Sequence, residues 1–355
     1  MSVSPFDSGL LGGLAGDAVV GAWFSTEAEL AAMNAFEAAL ATAEANEGLI
    51  PSEAARHIGE RLHSFAPDID AIRVATARDG VVGVDYVRQL RVHVGEQHGR
   101  YVHFGATSQD LVDTALVLRL GPILDEFDTR LAGVIAALDA LDGKFGARVL
   151  MGHTRMQKAL PIVVADRIAA WRAPLVRHLQ RLAALRPHLL IVQLGGAVGT
   201  RDRLGDKGSA VARRLADNLG LGFAETCWHT GRDGMAELAG WCALTGGSLG
   251  KIGADIALLA QAGDEIVLEQ GGASSAIPNK SNPVAAEMLV TLARFTATLS
   301  AGMNHALVHE QERSGAAWML EWLLLPQLLV ATAAGLRLAR ALLHGVAELG
   351  CACKR

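Results

Sequence analysis

The sequence predicts an all-α protein: an elongated bundle of about five long helices with a small helical domain at its N-terminus. Three observations carry this. Aromatic residues make up only 5% of the 355 while Ala and Leu recur throughout, a composition that suits close-packed helices better than sheets rich in Val, Tyr and Phe. Segments at about 109–145, 161–194, 233–269, 284–312 and 316–348 keep a helical pattern far longer than the typical helix of about 11–12 residues, and rods of that length pack side by side. A shorter, more polar pattern precedes them. With 51% hydrophobic and 19% charged residues the chain can bury a large core and exceeds the usual single domain, so its divisions are placed at 1–103, 104–348 and a short tail, 349–355.

Charge and cysteine usage exclude several functions. The formal charge of −5 leaves no basic footprint for nucleic acid, so an anionic ligand would need locally placed Arg and Lys. Cys227, Cys242, Cys351 and Cys353 are too few and scattered for a disulfide framework, and the terminal Cys-x-Cys lacks further zinc ligands; a reducing cytoplasm suits them and no metal is expected. Met1–Trp23 has no basic leader, and Pro326 and Gln327 interrupt the apolar run Trp322–Leu336, so no membrane span is expected.

Taken in order, Thr26-Glu-Ala-Glu29 reads as a capping box, after which Leu30, Met33, Phe36 and Leu40 share a face until Gly48 and Pro51 stop the helix. Pro67, Asp68, Gly80 and Gly83 break the next stretch into short helices, and the small domain ends near residue 103. Thr107 and Ser108 then precede an apolar-periodic run. At a helix N-terminus their hydroxyls and free N–H groups either cap the helix or bind a carboxylate. His103 titrates near neutrality and would shuttle a proton, orient an acid or serve the structure. Gly121-Pro122 predicts a kink. Met151-Gly-His-Thr-Arg-Met-Gln-Lys158 is followed by Pro161, read as a helix starter. Gln193-Leu-Gly-Gly-Ala-Val-Gly-Thr200 allows close backbone approach but lacks the lysine and strand of a phosphate-binding loop.

Gln270-Gly-Gly-Ala-Ser-Ser-Ala-Ile-Pro-Asn-Lys-Ser-Asn-Pro-Val-Ala-Ala-Glu287 is a polar island between apolar helices. Two adjacent serines with Lys280 and Asn282 close behind suit proton transfer beside a carboxylate; the competing reading is an ordinary linker. Glu310, Glu312 and Arg313, in His309–Trp322, would line a site or form an ion-pair network.

Ala273-Ser-Ser-Ala-Ile-Pro-Asn-Lys-Ser-Asn-Pro283 resembles the Gly-Ser-Ser-x-Met-Pro-x-Lys-x-Asn-Pro signature loop of the fumarase/aspartase superfamily, with Ala273 for the glycine and Ile277 for the methionine. His103-Phe-Gly-Ala-Thr-Ser-Gln-Asp110 resembles its His-x-Gly-Ala-Thr-Ser-x-Asp signature. Met151–Gln157 resembles Gly-Arg-Thr-His-x-Gln, with Arg155 where several lyases place a histidine acid/base; arginine stays protonated, so it binds carboxylates but is a poor proton shuttle. That substitution, the Phe24–Pro51 helix, the Gly-Gly-Ala-Val-Gly-Thr turn and the Glu-Arg…Trp…Glu-Trp stretch are similar to the 3-carboxy-cis,cis-muconate cycloisomerase branch.

The resemblance runs from about residue 24 to 345. It implies a cofactor-independent cycloisomerase acting on a small polycarboxylate, with Ser274 as general acid/base, Ser275 as fallback and Lys280 assisting. Substrate would be held by His103, Thr107, Ser108, Arg155, Gln157, Asn282 and Arg313. It also implies a homotetramer whose sites are shared between subunits. Many relatives carry a third, C-terminal helical domain that this sequence is expected to lack. A substituted muconate such as sulfomuconate, a fumarate-releasing C–N lyase reaction, or a non-catalytic structural role remain the alternatives.

Overall fold

The computed structural model describes residues 4–269, 271–278 and 280–351; Gln270 and Cys353 lie outside them. The chain is mostly helical, as the composition predicts. Two short helices, α1 (Gly12–Ala15) and α2 (Ala18–Ala22), lead into α3 (Thr26–Asn46). The cap of α3 is Ser25, whose Oγ accepts the Ala28 N–H at 3.2 Å, so the helix starts one residue before the box read from Thr26. Met33, Phe36 and Leu40 are buried on one face, with Leu30 half-buried, and Gly48 takes a left-handed conformation just past the end (φ 69°).

Then come α4 (Ser52–Leu62), α5 (Ile69–Asp79), α6 (Gly83–Val94) and α7 (Glu96–Gly99). These pack around Phe36, Tyr86 and Leu90 in a second core. That core is not drawn from residues 1–103 alone: Val192, Leu194, Leu204 and the buried face of α10 (Gly208–Leu219) belong to it. Val20, with Phe6, Trp23 and Phe24, packs instead into the main core.

The main core is built by α8 (Ser108–Phe145), α9 (Val164–Leu189), α11 (Asp233–Ala262), α12 (Val284–His305) and α13 (Gly315–His344). At 38 residues α8 is about 57 Å long, and it runs unbroken through Pro122, where a kink was expected. Pro326 likewise lies inside a continuous α13. The run Trp322–Leu336, expected to fall short of a span, lies within a longer apolar helix, and α11, α12 and α13 are each long and apolar enough to cross a membrane by length and composition. Much of α11 and α13 is buried within the bundle, but only 33% of the apolar window of α12 is.

α8 matches its predicted segment, but α9 starts later and α11 and α13 end earlier than predicted because strands occupy those joints. Residues 149–163, expected to lead into a helix, form an antiparallel hairpin of β1 (Val149–Thr154) and β2 (Gln157–Val163). Pro161 is thus a strand residue opposite Met151 rather than a helix starter. A two-stranded sheet leaves each strand one unpaired edge, which tolerates the missing N–H. The helix starts at Val164, where the Asp166 carboxylate accepts the Val163 N–H at 3.0 Å. β3 (Ile266–Leu268) pairs with β4 (Val346–Leu349), and the Cys351 N–H bonds Val149 O, joining both strand pairs at one end of the bundle.

Candidate active site

The antiparallel helices give the bundle two ends, and the site residues read from sequence divide between them. At one end stand the start of α8, the turn after α9, and the start of α13. Thr107 caps α8 as expected, its N–H bonded to Asp110 Oδ2 at 2.9 Å, and Ser108 opens the first turn. Asp110 is fully buried, yet its carboxylate is well partnered. It accepts the Gly195 and Gly196 N–H groups at 2.7 and 2.9 Å and pairs with His229 Nε2 at 2.7 Å. One carboxylate therefore fixes a helix start, a glycine turn and an imidazole together.

The glycines are required there. A methyl at Gly195 would collide with Cys227 Sγ and His229 Cε1, and Gly196 has φ 69° with Gly105 O close behind it. Burial works against a charged His229, but the Asp110 carboxylate that accepts its Nε2–H, with Cys227 alongside, outweighs it and raises the imidazole to about 9. Arg313 approaches from the α13 side, donating to Thr107 Oγ1 at 2.9 Å and to the Gly196 and Ala197 carbonyls at 3.2 and 2.5 Å. It is exposed, so the guanidinium and the Thr107 and Ser108 hydroxyls form a cationic, donor-rich rim able to hold a carboxylate.

Behind this rim His103, in a left-handed conformation (φ 59°), pairs through Nδ1 with Glu37 Oε1 at 2.6 Å. Two helical turns along α3, Glu44 is buried with both oxygens unpartnered; burial, reinforced by Glu37, pushes it up to about 9. Deeper still, Arg232 bridges Asp113 (2.7 Å) and Glu321, and the Trp318 indole N–H donates to Asp113 at 2.9 Å. Burial raises Glu321 against the pull of Arg232. Glu310 and Glu312, by contrast, are exposed; Glu310 touches this network only through His309, which stands 3.6 Å from Glu321.

The other end carries the remaining predicted residues. The neck of the 271–283 loop is a two-bond bridge, Gly272 N–H to Asn282 O at 2.8 Å and Asn282 N–H to Gly272 O at 2.9 Å. Ser274 sits inside, half-buried, its Oγ accepting the Ile277 N–H at 3.0 Å and the Ala276 N–H at 3.3 Å, whereas Ser275 and Lys280 are exposed. Arg155 and Gln157 are also exposed, at the tip of the β1–β2 hairpin, where Arg155 and Met156 both have positive φ (46° and 67°).

Within one chain, then, the structure gathers His103, Thr107, Ser108 and Arg313 at one end. It leaves Ser274, Ser275, Lys280, Asn282, Arg155 and Gln157 at the other, beyond the C-terminal end of α8. Sequence reading missed Glu37, Asp113, His229 and Glu321, whose partners are distant along the chain. Asp110 did carry a signal: Thr107-x-x-Asp110 is a capping-box spacing.

The family model described as Lyase matches residues 16–295. The chain belongs to the lyase family. This lyase is 39% identical over 308 residues to the 3-carboxy-cis,cis-muconate cycloisomerase of Bradyrhizobium diazoefficiens, an alignment covering 85% of this chain and 68% of that one. A solved 3-carboxy-cis,cis-muconate lactonizing enzyme from Pseudomonas putida superposes with a TM-score of 0.90 at 36% identity, over 96% of this chain and 77% of the other. The N-acetyl-S-(2-succino)cysteine lyase of Dickeya dadantii is also similar, at 33% identity over 87% of this lyase and 69% of its own length.

Proposed function

We propose that this lyase is a cycloisomerase of 3-carboxy-cis,cis-muconate or a closely similar muconate, working in the cytoplasm without a cofactor in the breakdown of protocatechuate. The observation that carries the reading is the intact Ser274, Lys280 and Asn282 loop in a chain 39% identical to enzymes of that name. In the reaction a substrate carboxylate oxygen adds to a conjugated double bond, and the carbon beside a second carboxylate takes up a proton. The product is an isomer of the substrate, so nothing else is consumed.

The demanding state is the enolate-like dianion before protonation, which calls for fixed donors. Ser274 supplies the proton. The N–H groups of Ala276 and Ile277 already point at its Oγ, the arrangement that stabilises an oxyanion left behind, which favours Ser274 over Ser275. Lys280 and Asn282 stabilise the developing charge. Thr107, Ser108, His103 and Arg313 hold one carboxylate, with Glu37 orienting His103; Arg155 and Gln157 hold another.

The two ends must meet, and α8 keeps them apart within a chain. The site is therefore completed by further copies packed antiparallel through the bundle, in a homotetramer. The weakly covered apolar face of α12 supports this assembly.

The test is loss of muconate ultraviolet absorbance on adding purified protein to 3-carboxy-cis,cis-muconate. Turnover that falls by about 10²–10⁴ in Ser274→Ala is expected. No decay with the wild type would overturn the substrate and direct attention to substituted muconates such as sulfomuconate. The likeness to a succinocysteine lyase favours one second reading, a fumarate-releasing elimination of C–N or C–S bonds by the same loop. Fumarate released from a succinyl adduct, with no muconate decay, would establish it.

A further inference from the structure

We propose that Cys227, set between His229 and Gln193, is a nucleophilic thiol site that takes small electrophilic alkenes and is S-alkylated by them. This is a built cluster rather than an isolated cysteine. The half-buried Cys227 thiol donates to Gln193 Oε1 at 3.4 Å and accepts the His229 backbone N–H at 3.4 Å. His229 is 2% exposed; its ring lies beside the same sulfur, since one methyl at Gly195 would meet both Cys227 Sγ and His229 Cε1, and its Nε2 is anchored on Asp110. Thiol, imidazole and carboxylate thus follow one another as in an activated nucleophile.

Two further atoms here lack partners. His229 Nδ1 and Gln193 Nε2 are buried without a hydrogen bond, and both belong to side chains in contact with the Cys227 sulfur. Such groups are normally satisfied, so a polar ligand seated at the thiol would answer them. The charged surroundings are Asp110 and Arg201, the latter tied to the Leu194, Ala224 and Glu225 carbonyls and interacting electrostatically with Cys227. On the facing turn a methyl at Gly199 would stand at an ordinary contact distance of 3.6 Å from Sγ, so the thiol meets only backbone on that side.

Sulfur is a soft nucleophile, and a conjugated alkene is its matching electrophile. In the reaction the sulfur forms a C–S bond at the β-carbon, and the π pair moves to the α-carbon. That carbon takes a proton from the His229 imidazolium, and the thiol proton leaves to water, from which His229 is recharged. Atoms and charge balance, and no oxidant enters.

Native protein treated with limiting N-ethylmaleimide and digested with trypsin separates the cysteines: Cys227 on peptide 215–232, Cys242 on 233–251, and Cys351 with Cys353 on 341–354. Cys242 is fully buried and Cys351 is exposed, so the last peptide is the reference. The 215–232 peptide should be labelled ~10-fold faster than the reference in native protein, and the advantage should vanish in urea. His229→Gln, shown folded by circular dichroism, should remove it too. Native labelling of Cys227 no faster than the reference overturns the site, as does undiminished labelling in a folded His229→Gln. Should that variant not fold, the comparison of native with urea-treated wild type decides alone.

Discussion

The two ends of the bundle are built on different principles. At the Thr107 end an exposed rim rests on a buried network: Asp110 takes several donors from three parts of the chain, Arg232 bridges two acids, and Glu37 holds His103. At the Ser274 end a two-bond neck closes a loop that half-buries Ser274 and leaves Ser275 and Lys280 exposed, as is Arg155 at the hairpin tip. The proposed binding surface is formed with the fold, and the proposed chemical surface opposite it rests on few bonds of its own. Residues at the first end should be felt in stability, and those at the second in turnover.

The sharpest break of that contrast is Asp110→Ala, which strands a buried imidazolium and orphans the Gly195 and Gly196 donors. A loss of about 3–5 kcal/mol in urea unfolding is expected. If it unfolds like the wild type, the Thr107 end is not the anchored one. Next is Glu44→Gln. The folded-state value of Glu44 is about 9 against 4.5 for the free acid. Its contribution to stability is therefore complete below about pH 4.5 and is lost as pH rises toward about 9, at up to ~1.4 kcal/mol per pH unit. Glu44→Gln should match the wild type near pH 5, exceed it near pH 8, and show a flatter profile of melting temperature against pH. Ser25→Ala, away from both ends, should cost ~1 kcal/mol by losing the Ala28 cap. The smallest effect is expected from Lys280→Ala, within about 0.5 kcal/mol of the wild type in the same urea titration while turnover falls.

What could be read in the sequence tracks how local its cause is. The long helices were legible because apolar periodicity is a property of neighbouring residues, and Thr107 and Ser108 announced a helix start in the same way. Pro161 misled because a proline suits the first turn of a helix and an unpaired strand edge alike; the partner that decides, Met151, lies across a turn. Pro326 misled in another sense: read as interrupting an apolar run, it lies inside a continuous α13 that is long and apolar along its length, because packing along the bundle sustains the helix through it. His229 gave no signal because its meaning comes from Asp110, far away along the chain. The chemistry loop was legible through its likeness to a known signature, since its physical contacts within one chain are sparse.

The hairpin tip has a consequence for anyone wishing to harden this protein. Thr154 and Gln157 face each other across Arg155 and Met156, both left-handed, which is the two-residue turn that Asn-Gly fills best. Nature has put two bulky side chains where the backbone would rather have none. Arg155→Asn with Met156→Gly should raise the melting temperature, gaining about 1–2 kcal/mol. The same change removes the guanidinium proposed to hold a substrate carboxylate, so the easiest place to toughen the molecule is also the place where that proposal predicts a loss of affinity.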